Sequence, residues 1–243
     1  MRQHKQRYKF ADDCSISLLR FLPQTHDQLE PLVAELRDQA DQVKLQLSLE
    51  KSCVLRVNFL KKKSIDEPAP LQTKKSVKIL GITLSDDLRF GDHINQITAK
   101  AAGLLKSFAN LKRFGMTEQL LLSCYKTYVM PIVMYGCPVW HPSLTEKDRS
   151  QLETIQTRAC KIILGSNYKN YEESLSELRL PTLDERRHET LMKFGADILK
   201  SPTYRDILPQ FTSVTHAHKT RLAAFKEGKE LLGCPPTHSM TIF

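Results

Sequence analysis

An α+β fold is predicted by a change of hydrophobic period near residue 90. Before that point the chain carries short strand-like runs. Tyr8, Phe10, Ile16 and Leu18 flank a turn-compatible Ala11-Asp12-Asp13, and Val54 to Leu60 and Val77 to Leu84 are compact apolar segments. After it the apolar residues recur at three- and four-residue intervals, as in Ile94, Ile97, Ala101, Leu104, Phe108 and Leu111. Strands with a single helix therefore come first, and an all-helical part follows.

The elements follow in order. Residues 6–20 predict two strands around a tight turn. Thr25 to Gln28 has the pattern of a capping box, opening a helix whose one face holds Leu29, Leu32, Val33, Leu36, Ala40, Val43 and Leu47. Val54 to Leu60 predicts a strand, Lys61 to Lys75 a polar loop, and Val77 to Leu84 a further strand holding Gly81. A helix begins at Asp92 and ends at Gly115, with Lys112 and Arg113 in the last turn, where cations suit the helix dipole. A second spans about Thr117 to Tyr135 with a kink at Pro131. Ser143 to Glu146 predicts the cap of a third, which buries Leu152, Ile155, Ala159 and Ile162 and stops at Gly165. Thr182 to Glu185 caps a fourth, through Leu191, Phe194 and Ile198, and residues 216–232 predict a last amphipathic helix. The expected units are residues 1–90, 91–166, 167–235 and a tail over 236–243.

Composition narrows the function. The 243 residues hold 36 Lys and Arg against 27 Asp and Glu, for a net charge of +9. Such a surplus suits a phosphate-bearing partner, although a generic basic protein has it too. The cysteines Cys14, Cys53, Cys124, Cys137, Cys160 and Cys234 stand singly, without the paired spacing of a zinc ribbon. With no secretory signal pattern, free thiols and an intracellular place, nucleus or cytoplasm rather than secreted, are expected. The apolar run from Tyr125 to Trp140 is broken by Pro131, Gly136 and Pro138, and falls short of the roughly 20 residues of a membrane span.

The sharpest chemical feature is the pair Asp12 and Asp13 at the tip of the first predicted hairpin. Adjacent carboxylates repel unless a cation shares them. Mg²⁺ takes one or two carboxylates plus substrate phosphates, and two such ions about 4 Å apart can clamp the oxygens of a phosphoryl transfer. The two residues alone fit an ordinary surface turn more often than a metal site. Their flanks reverse that balance. Tyr8-Lys-Phe-Ala-Asp-Asp-Cys14 resembles the aromatic-x-Asp-Asp hairpin of reverse transcriptases. Leu45-Gln-Leu-Ser-Leu-Glu-Lys-Ser52 resembles the next palm motif of non-LTR (LINE-type) retrotransposon reverse transcriptases, with Ser48 where Asn is usual. Val77-Lys-Ile-Leu-Gly-Ile-Thr-Leu84 is similar to their primer-gripping hairpin. Tyr125 to Pro131, Tyr135-Gly136, Val139-Trp140, Leu152 to Ala159 and Leu180 to Arg187 resemble their thumb and the segment after it. The order and spacing of these motifs, over about residues 6–225, carry the resemblance.

The resemblance implies a partial polymerase palm of antiparallel hairpins plus one helix, ending in the primer grip near residue 90. An all-α thumb and C-terminal helices would follow. Asp12 would be the main Mg²⁺ ligand and Asp13 its weaker neighbour, in an intact polymerase. Phe10 would sit by the nucleotide and primer end. Lys51 would face the incoming triphosphate as a charge partner or proton donor, and Leu80 and Gly81 would support the primer terminus. Lys78, Lys100, Lys106, Lys112, Arg113 and Lys126 are candidates for backbone phosphate contacts. Trp140 is expected to plug a helix junction rather than stack a base. The implied partners are an RNA template and a DNA primer, with a nucleoside triphosphate and metal as small ligands and no membrane.

The family's first catalytic Asp and its fingers lie upstream of the hairpin, and only nine residues precede Phe10. The expectation is a fragment that does not polymerise alone. A non-catalytic nucleic-acid-binding remnant and a helical interaction module are the alternatives.

Overall fold

The computed structural model describes residues 5–10, 13–20, 29–42, 44–45, 48, 50–57, 71–201, 204 and 239–242. The capping box expected at Thr25 to Gln28, the helix expected over 216–232 and Asp12 lie outside these residues. An α+β architecture is observed, with strands and one helix first and a helical bundle after residue 90.

Strands β1 (Lys5–Phe10) and β2 (Asp13–Arg20) form the antiparallel hairpin that the alternation predicts, with Tyr8 opposite Ser15 and Phe10 opposite Asp13. Helix α1 (Leu29–Gln42) buries Leu32 and Val33. It ends before the expected Leu47, and Lys44 takes a left-handed φ of 56° just beyond it. Strand β3 (Cys53–Val57) is almost wholly buried, and β4 (Gln72–Lys74) pairs parallel to it. Strand β4 falls in the segment read as loop. All three of its residues are exposed, so it has no apolar period to read.

Strand β7 (Ser239–Ile242) lies between β2 and β3, antiparallel to both, completing the order β1-β2-β7-β3-β4. The expected tail thus contributes a strand. Its four residues are too few to show a period, and the pairing is imposed by two sheet edges that offer unpaired backbone groups.

The segment read as one strand at Val77 to Leu84 is a hairpin of β5 (Ser76–Ile79) and β6 (Ile82–Ser85), separate from the main sheet. Ile82 and Leu84 pack instead against the helical core. The hairpin thus belongs energetically with the helices that follow it.

Helix α2 (Gly91–Arg113) buries Ile94, Thr98, Ala101, Leu105 and Phe108. From Glu118 to Ser143 the chain is mostly helical, through α3 (Glu118–Cys124), a π turn (Tyr125–Val129), α4 (Met130–Met134), a break at Tyr135 and Gly136, α5 (Cys137–Trp140) and a closing 3₁₀ turn. A π turn directly precedes Pro131, where a kink is expected, and in it the Met130 amide donates to the Tyr125 carbonyl. Pro131 brings no amide of its own. The buried stripe explains why the turn is useful. Leu121, Tyr125, Val129, Val133 and Cys137 recur every four residues, a spacing that drifts off one face of a 3.6-residue helix. One wider turn takes up the drift.

By length and composition, Glu118–Ser143 could cross a membrane, contrary to the expectation that no segment is long enough. Helical turns continue through Pro131 and resume at Cys137 and Pro138 after a break at Tyr135 and Gly136, which is why the run is longer than it reads. Its buried stripe, from Leu121 to Trp140, is the centre of the bundle core.

Helix α6 (Glu146–Leu164) starts at a capping box of Thr145 and Asp148, two residues later than expected, and runs beside α2. Helices α7 (Tyr171–Leu178) and α8 (Leu183–Lys200) close the bundle, α8 with the expected capping box of Thr182 and Glu185. Helix α7 was not foreseen. Leu175, Leu178, Leu180 and Leu183 share the core of the earlier helices.

One polar node ties α6, α7 and α8 together. The Glu153 carboxylate accepts from the amides of Leu183 and Asp184 at 3.3 and 2.7 Å and from the Tyr171 hydroxyl at 2.6 Å. An anion is thereby placed at the N-terminus of α8, where the dipole favours it. The fully buried Arg187 reaches Glu153 at 3.5 Å and Asp184 at 3.3 Å, and Arg149 pairs with Asp184. Beside it, Gln156 accepts from the Tyr125 hydroxyl at 2.8 Å and donates to the Pro181 carbonyl at 2.7 Å. Glu153→Ala would take one of two carboxylates from the buried Arg187 and open a helix N-terminus, at a cost of about 3 kcal/mol. Urea unfolding should show that loss, and Arg187→Met in the same chain should restore part of it.

Candidate nucleic-acid site

Residues directly opposite in an antiparallel pair share a face, so Tyr8, Phe10, Asp13 and Ser15 stand on one side of the first hairpin. That side faces a cavity of about 420 Å³ whose far wall is Ile79 and Leu80 of the second hairpin. Phe10 is 65% exposed and Leu80 46%. Asp13 is the only carboxylate among the described residues of the lining, and Lys9 the only cation. Phe10, Asp13 and Leu80, far apart in sequence, meet here. Gly81 lies beside Leu80 in the same turn, and Asp12 lies outside the described residues.

The turn of the second hairpin has positive φ at both central residues, 46° at Leu80 and 86° at Gly81, as a two-residue β-hairpin turn of type I′ requires. Glycine takes this conformation freely, whereas leucine is strained in it. The bundle holds the turn in place. The Tyr135 hydroxyl donates to the Leu80 carbonyl at 2.8 Å. Its ring lies against Gly81, so close that a Cβ there would meet Cε1 at 3.2 Å. Below the turn, the Thr83 amide donates to His93 Nδ1 at 3.4 Å, and the Thr83 hydroxyl bonds Gln96 at 3.0 Å.

Tyr135 can reach Leu80 because the long helix breaks there. Tyr135 leaves helical backbone with ψ 125°, and Gly136 follows with φ 62°. The freed Tyr135 carbonyl accepts from Trp140 Nε1 at 3.0 Å. Trp140 is fully buried and tilted against His93, with ring centroids 5.9 Å apart, so it plugs the junction as expected. Neither Tyr135 nor His93 is a site residue on sequence grounds. The signals are a polar aromatic just before a glycine inside an otherwise helical run, and the likeness of Tyr135-Gly136 to the thumb motif.

The other predicted residues are placed apart from the cavity. Lys51 is exposed in a turn closed by its amide to the Ser48 carbonyl, and is not among the lining residues. Lys78 is exposed on β5, and Lys100 and Lys106 on α2. Lys112 is half-buried, donating to the Ile163 carbonyl at 2.7 Å and pairing with Glu118 at 3.5 Å. It closes the C-terminal turn of α6, which leaves little of it for a phosphate. Arg113 and Lys126 are exposed and form no ion pair among the described residues.

Among the described residues no cluster of three or more His, Cys, Asp or Glu could hold a metal ion. Asp13 by itself does not make a Mg²⁺ centre.

No family model matches the chain, and no solved structure matches it. A stretch of 69 residues is 29% identical to a 115 kDa protein of the type-1 retrotransposable element R1DM of Drosophila melanogaster. The matched stretch is 28% of this chain and 7% of that protein, so the chain spans a small part of its relative. The similarity supports a retrotransposon-related origin.

Protonation should loosen the site from below. Burial, then the charge of Lys78, hold the His93 pKa below its ordinary 6.5, and its Nδ1 must stay unprotonated to accept from Thr83. Burial, then Arg149 and Arg187, likewise depress His141. For both, the unfolded chain binds the proton first as pH falls. Stability should be full above about pH 6.5 and decline as pH drops through the lower folded values. Melting followed by circular dichroism between pH 7.5 and 5.5 should show a falling Tm. A Tm flat across that window would mean that neither histidine is held neutral by the fold.

Proposed function

We propose that this chain is the C-terminal palm and thumb portion of a non-LTR retrotransposon reverse transcriptase. On this reading it binds a primer–template duplex but does not extend it unaided. The observation that carries the reading is the cavity, where the Phe10–Asp13 hairpin faces the Leu80–Gly81 turn. In the family these two motifs flank the end of the primer. The retrotransposon similarity and the surplus of positive charge point the same way.

The cavity offers aromatic and aliphatic surface with one carboxylate, which suits the stacked end of a nucleic acid better than a free anion. The charge for the duplex backbone would come from Lys100, Lys106, Arg113 and Lys126 of the bundle, with Lys78 on the second hairpin. Asp13, with Asp12 beside it, would supply only part of a two-ion site. The remainder would come from a segment carrying the family's first catalytic Asp.

Binding to an RNA–DNA primer–template should weaken linearly with the logarithm of salt concentration. Arg113→Ala and Lys126→Ala should each flatten that slope by about 0.9. A salt-independent affinity, or none for duplex at any salt, would favour a protein-interaction module instead. With Mg²⁺ and deoxynucleotides the chain alone should give no primer extension. Product that scales with added chain and disappears in Asp12→Asn would show that the present residues suffice.

A further inference from the structure

We infer that Tyr135 is a positioning residue that holds the strained Leu80–Gly81 turn so that the Leu80 side chain meets the terminal base pair of a bound duplex. This rests on the proposed reading of the cavity as the seat of a nucleic-acid end.

Three observations support it. Leucine is a poor residue for the first position of this turn, where Asn, Asp or Gly would relieve the backbone. Its side chain is nevertheless apolar and half exposed, and it lines the cavity opposite Phe10. Folding alone gains little from a strained, exposed leucine, and such strain persists where the surroundings over-determine it. Those surroundings are Tyr135. Its hydroxyl fixes the Leu80 carbonyl, its ring covers Gly81, and its own backbone is fixed by Trp140. Since Tyr135 itself does not line the cavity, any effect on a ligand passes through the turn.

Two variants separate this role from simple support. Tyr135→Phe keeps the ring and removes the hydroxyl bond. Leu80→Asn relieves the turn and removes the apolar contact. The readout is fluorescence anisotropy at fixed salt, comparing an RNA–DNA duplex having a recessed 3′ end with the same duplex closed by a loop at that end. Wild-type chain should prefer the open end. Tyr135→Phe should lower that preference about three- to tenfold while leaving affinity for the closed duplex unchanged. Leu80→Asn should lose the preference while melting higher than wild type. A merely structural leucine would let the more stable variant discriminate as well as wild type.

If wild type prefers the open end and Tyr135→Phe keeps that preference in full, the inference is overturned and the proposed function stands. If wild type binds both duplexes equally, the reading of the cavity falls and this inference with it. Should Tyr135→Phe fail to fold, Leu80→Asn decides: undiminished discrimination rejects the role given to the turn.

Discussion

The site depends on a single joint, the break in the long central helix at Tyr135 and Gly136. Helical continuation would turn the Tyr135 carbonyl into the helix ladder and carry its side chain along the bundle. Left-handed Gly136 ends the helix instead. Ile82 presses so closely there that a Cβ on Gly136 would lie 2.6 Å from its Cδ1. Glycine suits the position on two counts, since it takes the left-handed backbone freely and spares Ile82 a shift. From this break come the Trp140 bond that locks the joint and the Tyr135 bond that locks the turn.

The bundle around the joint is tied together by specific polar bonds. Both of its ends are held by buried polar groups with specific partners. At one end His93 and Gln96 take the Thr83 backbone and hydroxyl. At the other, the Glu153 carboxylate gathers two amides, a hydroxyl and a buried guanidinium. Burial with a hydrogen bond to Glu153 pushes the Tyr171 hydroxyl pKa well up, so it remains a donor across the accessible pH range. Such nodes add specificity more than stability, because an ion pair taken out of water gains little over a packed apolar pair. Here they set the register of α8 against α6.

The change of hydrophobic period was enough to read the α+β division, the first hairpin, the long stripe of α2 and the cap of α8. Each rests on local pattern. Three features needed tertiary information. Strand β4 is wholly exposed and β7 very short, so only pairing defines them. The π turn answers a drift of the buried stripe that matters only once the bundle is packed. The β5–β6 hairpin reads as one strand because Leu80 and Gly81 interrupt an apolar run without the usual polar turn residues. At the site, resemblance located Phe10, Asp13, Leu80 and Gly81, which the cavity and its second hairpin bring together. Resemblance marks Tyr135-Gly136 as a motif but not its contact with the turn, which is a bond across the boundary between hairpin and bundle.

That boundary explains why the cavity is apolar and open. One wall belongs to the main sheet through Phe10 and Asp13. The other belongs to the helical bundle through Leu80. The second hairpin is a sheet of its own and packs Ile82 and Leu84 against the bundle core. Both walls present large apolar side chains at the gap, Tyr8 and Phe10 on one side and Leu80 on the other. A scattered exposed hydrophobe needs no cause, but three converging on one cavity, one of them on strained backbone, do. A flat apolar face inserted between the walls would cover all three at once. The paired bases at the end of a duplex are such a face. The cations that the proposed function gives to the duplex backbone lie outside the cavity, on the bundle and the second hairpin. On the proposed function, recognition of an end and attraction to a backbone would fall to different residues, the first indifferent to salt and the second governed by it.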